Sequence, residues 1–160
     1  FSRDFDKLMA VRPQELQLGI LKRLRGAPID RHSQVCAMVY SKYPPYEIMQ
    51  NKDMSYAELQ RIKRIARYLD IFYNSGNFPH TVELLLGAQA SCFAAMDDFS
   101  RFIWENYQQT HKISIGRQTR ILFEYLQKYY PLQEIATALL ADYDGKGRKD
   151  NVCYLREILK

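Results

Sequence analysis

The sequence is poor in the residues that usually announce chemistry. Its three cysteines, Cys36, Cys92 and Cys153, stand alone, without a C-x-x-C pair or the dense spacing of a small secreted scaffold. That excludes a disulfide framework and a thiolate metal knuckle, and points to reduced thiols and a cytoplasmic setting. The three histidines are equally isolated: His32, His80 and His111 have no H-x-x-x-H or E-x-x-H partner that would put two ligands on one helix face. Long apolar runs are missing too. Leu84-Leu85-Leu86 is typical, against the roughly 20 residues that a membrane-spanning helix needs, so no membrane partner is expected. No secretory leader pattern opens the chain. No period of 20 to 50 residues repeats, and no low-complexity tract appears.

Short acidic and glycine-containing words offer little more. Adjacent helical residues point about 100° apart, so Asp97-Asp98 does not converge on one atom, and helix N-terminal charge after Ser91 explains it better. Asp142-Tyr143-Asp144-Gly145-Lys146-Gly147 alternates acids before a glycine but lacks the third oxygen donor and the closing glutamate of a calcium loop. Gly145-Lys146-Gly147 lacks the spacing of a phosphate loop. No nucleophile, base and orienter set emerges, so the chain itself is not expected to be catalytic.

What the sequence does have is apolar and aromatic content. At 47% hydrophobic residues over 160 positions it has enough to bury one core. Phe5, Leu8, Met9 and Val11 fall near helical spacing before Pro13, and Leu16 to Leu24 reads as a strand closed by Gly26-Ala27-Pro28. Met38–Ser41 and Glu47–Gln50 can pair around the corner Tyr43-Pro44-Pro45-Tyr46, where each proline fixes its own φ. From Ser55 onward the periodicity is helical. Ser55 with Glu58 is a capping box, Tyr56, Leu59, Ile62, Ala66, Leu69 and Tyr73 form a stripe, and Gly76 supplies a left-handed cap. Pro79, Ser91, Ser114 and Pro131 open further helices, a loop follows over 144–147, and Val152 to Leu159 makes a last short one. The expectation is a mainly α fold: a bundle of four to five helices, preceded by a short helix–strand unit and a small β-hairpin.

The net charge of +5 is concentrated in Lys22-Arg23-Leu24-Arg25, in Arg61, Lys63, Arg64 and Arg67, and in Lys146-Gly147-Arg148-Lys149. These clusters permit a nucleic-acid partner, although solvated helix faces are the commoner reason for such patterning. Most of the 12 Tyr and 8 Phe lie on the helical stripes and belong to a core. Tyr40, Tyr43 and Tyr46 lie outside it. With Arg61, Arg64 and Arg67 they are the expected contacts for a substrate or partner; no catalytic, cofactor-binding or metal-ligating residue is expected in the chain.

The combination LQLGILKRLRGAPI, VYSKYPPYEIM and MSYAELQRIKRIARYLDIFYNSGNF resembles the C-terminal region of radical S-adenosylmethionine proteins that carry a cobalamin-binding domain, and in particular their helical C-terminal domain of unknown function. The resemblance is strongest from Leu16 to Phe78. It implies that residues 1–29 are the end of the radical S-adenosylmethionine barrel and 30–160 an accessory domain. An opening on Phe1 also suggests a piece of a longer protein. The iron–sulfur cluster, S-adenosylmethionine and cobalamin implied by the family would belong to the parent protein, because the C-x-x-x-C-x-x-C and D-x-H-x-x-G motifs are absent here. The resemblance makes the barrel of the parent chain the natural partner, with Leu21 to Gly26 beside its nucleoside pocket. Taken alone, an unpaired strand at Leu16–Leu24 would invite a homodimer, or would pair with Met38–Ser41 and Glu47–Gln50.

Overall fold

Ser55 and Glu58 start the longest run of helix. The Glu58 carboxylate accepts from the Ser55 amide at 2.8 Å and from its hydroxyl at 2.6 Å, and the Ser55 hydroxyl faces the Glu58 amide at 3.4 Å. These reciprocal bonds are the expected capping box; the hydroxyl, then the amide, holds the Glu58 carboxyl below its ordinary range. From there α2 runs Tyr56–Leu69 and continues without a break into a wider π turn, Asp70–Asn74. In that turn the Ser75 amide reaches back to the Asp70 carbonyl at 3.1 Å, and Gly76, at φ +61°, ends the run in the left-handed conformation that glycine tolerates best.

The computed structural model describes residues 1–146 and 152–160. Among them lie α1 (Ser2–Ala10), β1 (Val39–Tyr40), β2 (Ile48–Gln50), α3 (Thr81–Gly87), α4 (Cys92–Tyr107), α5 (Ile115–Leu126), α6 (Leu132–Asp144) and α7 (Cys153–Ile158). The fold is mainly α, as expected. From Gly147 on, the expected loop and the basic run to Lys149 lie outside the described residues. Packing divides the chain into two compact units, Phe1–Leu16 with Arg67–Lys160, and Gln17–Ala66.

The larger unit is helix on helix. α3 packs on α4, α5 and α6, α5 also touches α4 and α6, α7 lies on α6, and α1 lies on α4. At its centre an aromatic series runs from Phe72 through Phe99 to Tyr125, with ring centroids 4.9 Å apart at each step. α1 belongs to this core: Phe5 and Met9 are buried, and Phe1 and Phe5 each meet Phe93 in a T-shaped contact. The Asp6 carboxylate accepts from the Phe93 amide at 2.8 Å while the Ser91 hydroxyl accepts from that of Ala94, so two side chains cap α4. Asn74 fastens the end of the N-terminal segment, accepting from the Leu16 amide and donating to its carbonyl.

The apolar stripe is rotated from the expected one. Of the expected positions Leu59 and Leu69 are buried, but Ile65, Tyr68 and Phe72 join them, whereas Tyr56 is exposed and Ile62, Ala66 and Tyr73 are only half-buried. Sequence spacing gives the period of such a stripe more reliably than its centre, because Tyr68 and Tyr73 are equally plausible core residues until their hydroxyls find partners. Tyr68 donates to the Gln109 carbonyl at 3.0 Å, and Tyr73 to that of Pro13.

Asp98 is more than ordinary helix charge. Its carboxylate accepts from Arg101, from the Tyr125 hydroxyl at 3.0 Å and from the Tyr129 hydroxyl at 2.9 Å. Burial pushes its pKa up, but the bonds from Arg101, Tyr129 and Tyr125 outweigh that and hold it below the usual range. A carboxyl with a depressed folded-state pKa stabilises above its unfolded value, about 3.9, and the contribution disappears as pH falls through the lower folded value. Asp98→Asn should therefore unfold at lower urea than wild type at pH 7, with the gap narrowing below about pH 4. A gap independent of pH would show that the carboxylate's charge is irrelevant.

The smaller unit contains the expected hairpin. β1 and β2 are antiparallel, with Val39 opposite Gln50 and Tyr40 opposite Ile48, and a bulge between Val39 and Tyr40. The corner contains a cis Pro44–Pro45 bond, and the Tyr46 amide closes on the Tyr43 carbonyl at 2.9 Å, with Tyr46 at φ +57°. The strand expected over Leu16–Leu24 is not formed as such. Only Leu21–Arg23 pairs, through a single bridge from Lys22 to Glu47, with the Ile48 amide on the Leu21 carbonyl and the Arg23 amide on that of Tyr46. The apolar run alone could not specify this, since a ladder needs a partner of matching length and β2 has three residues.

Candidate interaction sites

The hairpin distributes the three expected tyrosines unequally. Tyr43 is 77% exposed at the corner and Tyr46 is exposed beside it. Tyr40 is half-buried, its hydroxyl 3.1 Å from the Met38 sulfur. It lines an open hollow of about 690 Å³ with Arg23, Asp30, Arg31, Ser33 and Lys42. Arg23 reaches Asp30 at 2.9 Å and stands 5.8 Å from the centre of the Tyr40 ring. The hollow is thus weakly cationic, and the other two tyrosines do not line it.

The α2 arginines do not present one uncommitted basic face. The Arg67 Nε donates to the Thr110 carbonyl at 2.8 Å, Arg64 is half-buried, and Arg61 is exposed beside Glu58. Lys63, between them, is ion-paired with Glu47. Residues that read as a solvated stripe in sequence are in part structural, because a guanidinium on a long stem can reach a carbonyl far away in the chain.

A second polar site, which sequence reasoning missed, lies in the helical unit. A cavity of about 590 Å³ opens between the start of α5, the end of α4 and α7, lined by Tyr107, Ser114, Arg117, Arg120, Glu124 and Tyr154. The Tyr107 hydroxyl donates to Glu124, and the Arg117 guanidinium carbon stands 5.2 Å from the centre of the Tyr107 ring. Burial, then the Glu124 carboxylate, pushes the Tyr107 pKa up to about 12; burial also raises that of Tyr154. Ser114 takes the N-cap position of α5, but its hydroxyl makes no capping bond, contrary to expectation. The Tyr154 hydroxyl is buried without a hydrogen-bond partner among the described residues. The available signal was the spacing Arg117, Arg120, Glu124, which places all three along one face of a helix.

Metal chemistry finds no such concentration. Cys92 and Cys153 sit at the starts of α4 and α7, and Cys36 lies in the smaller unit. Among the described residues no three His, Cys, Asp or Glu side chains form a group suited to a metal ion. Asp142, the acid of the loop that superficially resembled a calcium site, is instead buried and caps α3. Among the described residues no helix is long and apolar enough to cross a membrane.

These features define a helical domain with a small hairpin unit and two polar hollows. The chain belongs to the family described as Protein of unknown function (DUF4080), whose sequence model matches residues 36–160. No curated protein and no solved structure matches it.

Proposed function

We propose that the chain is a non-catalytic C-terminal accessory domain of a cytoplasmic, cobalamin-binding radical S-adenosylmethionine enzyme, and that it covers the mouth of the barrel or recruits substrate there. The observation that supports this reading is the start of the family match at Cys36, a few residues after Ile29, where the resemblance puts the end of the barrel. On this reading residues 1–29 come from the last helix and strand of that barrel, with α1 packed on α4 and Leu21–Arg23 bridged to Tyr46–Ile48 in this chain. Among the described residues no group of three cysteines that could form a three-thiolate nest is found. The cluster and the S-adenosylmethionine would be held by the barrel, and no chemical step is assigned to the residues described here. Tyr43 and Tyr46, exposed on the rigid proline corner, are the side chains best suited to a partner. The alternative, a basic helical binding module that takes RNA or a protein partner through Arg61, Arg64 and Arg67, is less well supported, because Arg67 is already engaged by Thr110.

The test begins with the upstream reading frame, which should encode C-x-x-x-C-x-x-C within a few hundred residues. The full-length protein with its cluster reconstituted should cleave S-adenosylmethionine reductively, and deletion of 36–160 should alter that rate while leaving the cluster's visible absorption intact. Absence of the motif, or loss of the cluster on deletion, would overturn the assignment.

A further inference from the structure

We infer that the cavity at the start of α5 binds a small phosphate ester, with Arg117 and Arg120 on the phosphate and Glu124 on a hydroxyl group of the ligand. The two arginines are one helical turn apart, close enough for both guanidiniums to reach one phosphate, whose oxygens match their paired N–H groups. Both are exposed, and among the described residues neither has a carboxylate partner within salt-bridge distance. Arg117 lies over the Tyr107 ring, which orients it without neutralising it.

Two further features fit the same ligand. The first-turn amides of α5 have no acceptor within the helix, and the Ser114 hydroxyl is not spent on them, so several donors remain at the end of the cavity beside the arginines. The ring of Tyr154 walls the cavity, its hydroxyl buried behind it without a partner among the described residues. Tyr107 and Tyr154 both keep their protons at neutral pH.

Glu124 decides the rest of the ligand. One of its oxygens accepts from Tyr107, which leaves the other to accept from a hydroxyl and disfavours a second negative charge at that end. At about 590 Å³ the cavity is much larger than a bare phosphate ion needs and falls within the size range of small-molecule sites. A phosphorylated polyol satisfies both ends. This inference does not depend on the accessory-domain reading.

Ribose 5-phosphate is a suitable probe, titrated into the 160-residue chain by calorimetry at 0.15 M salt, where attraction between exposed charges is largely screened. We expect saturable binding, none with unphosphorylated ribose, and a displaced amide resonance for Gly116. Arg117→Gln and Arg120→Gln, both at exposed positions and checked for folding by circular dichroism, should each weaken binding by about tenfold or more. The inference is overturned by no saturable binding, by equal binding of ribose, by affinity unchanged in both variants, or by capture of an RNA strand without ribose 5-phosphate.

Discussion

Phe99→Ala should lower stability by about 4 kcal/mol, the range found when a buried aromatic ring is removed and its surroundings relax only partly. Phe99 has no exposed surface and stands between the rings of Phe72 and Tyr125, with both centroid distances at 4.9 Å. Its removal therefore deletes two aromatic contacts at once and opens a void between the π turn, α4 and α5. The effect should appear as a shift of the urea midpoint at unchanged slope, followed through the fluorescence of Trp104, the sole tryptophan. Phe99→Leu, which retains most of the volume, should cost less than about half as much. Tyr43→Ala is the contrasting case: at 77% exposed it should change stability by no more than about 0.5 kcal/mol. Phe99→Ala and Tyr43→Ala with equal effects would mean that the aromatic series is not the centre of the core.

The difference between those two residues marks how far the sequence could be read. Features set by near neighbours were legible: the capping box at Ser55 and Glu58, the Ser91 cap, the glycine stop at Gly76 and the hairpin around Pro44 and Pro45. Each depends on residues a few positions apart, where backbone geometry leaves few alternatives. Features set by distant partners were not. The strand at Leu16–Leu24 reduces to one bridge because its partner is short, and the commitment of Arg67 depends on a carbonyl 43 residues away. The π turn at Asp70–Asn74 has no composition of its own, and its extra residue per turn changes the phase of everything after it. The α5 cavity combines both cases, since its Arg–Arg–Glu face is local but Tyr107 and Tyr154 arrive from other helices.

Asp142 is the strongest instance of a distant partner, and its substitution should be the second most damaging. The side chain is 2% exposed, near the end of α6, and its two oxygens accept from the amides of His80 and Thr81, each at 2.8 Å. α3 has seven residues, too few to persist alone, and its own sequence supplies no side-chain cap. A carboxylate from another helix does that work, satisfying two donors and placing negative charge at the helix start. Asp142→Ala would leave the Thr81 amide buried and unpaired and that of His80 part-buried, and should cost about 3 kcal/mol. Asp142→Asn keeps one acceptor but turns an NH₂ toward the other amide, so it should recover only part of the loss. Hydrogen exchange separates the local effect from a global one. In both variants the amides at 80 and 81 should lose protection well before those in the middle of α4, because the cap is released while the Phe72–Phe99–Tyr125 series remains packed. Unchanged protection at 80 and 81, with stability reduced by less than about 1 kcal/mol, would mean that solvent can replace the carboxylate and that α3 is held by packing alone.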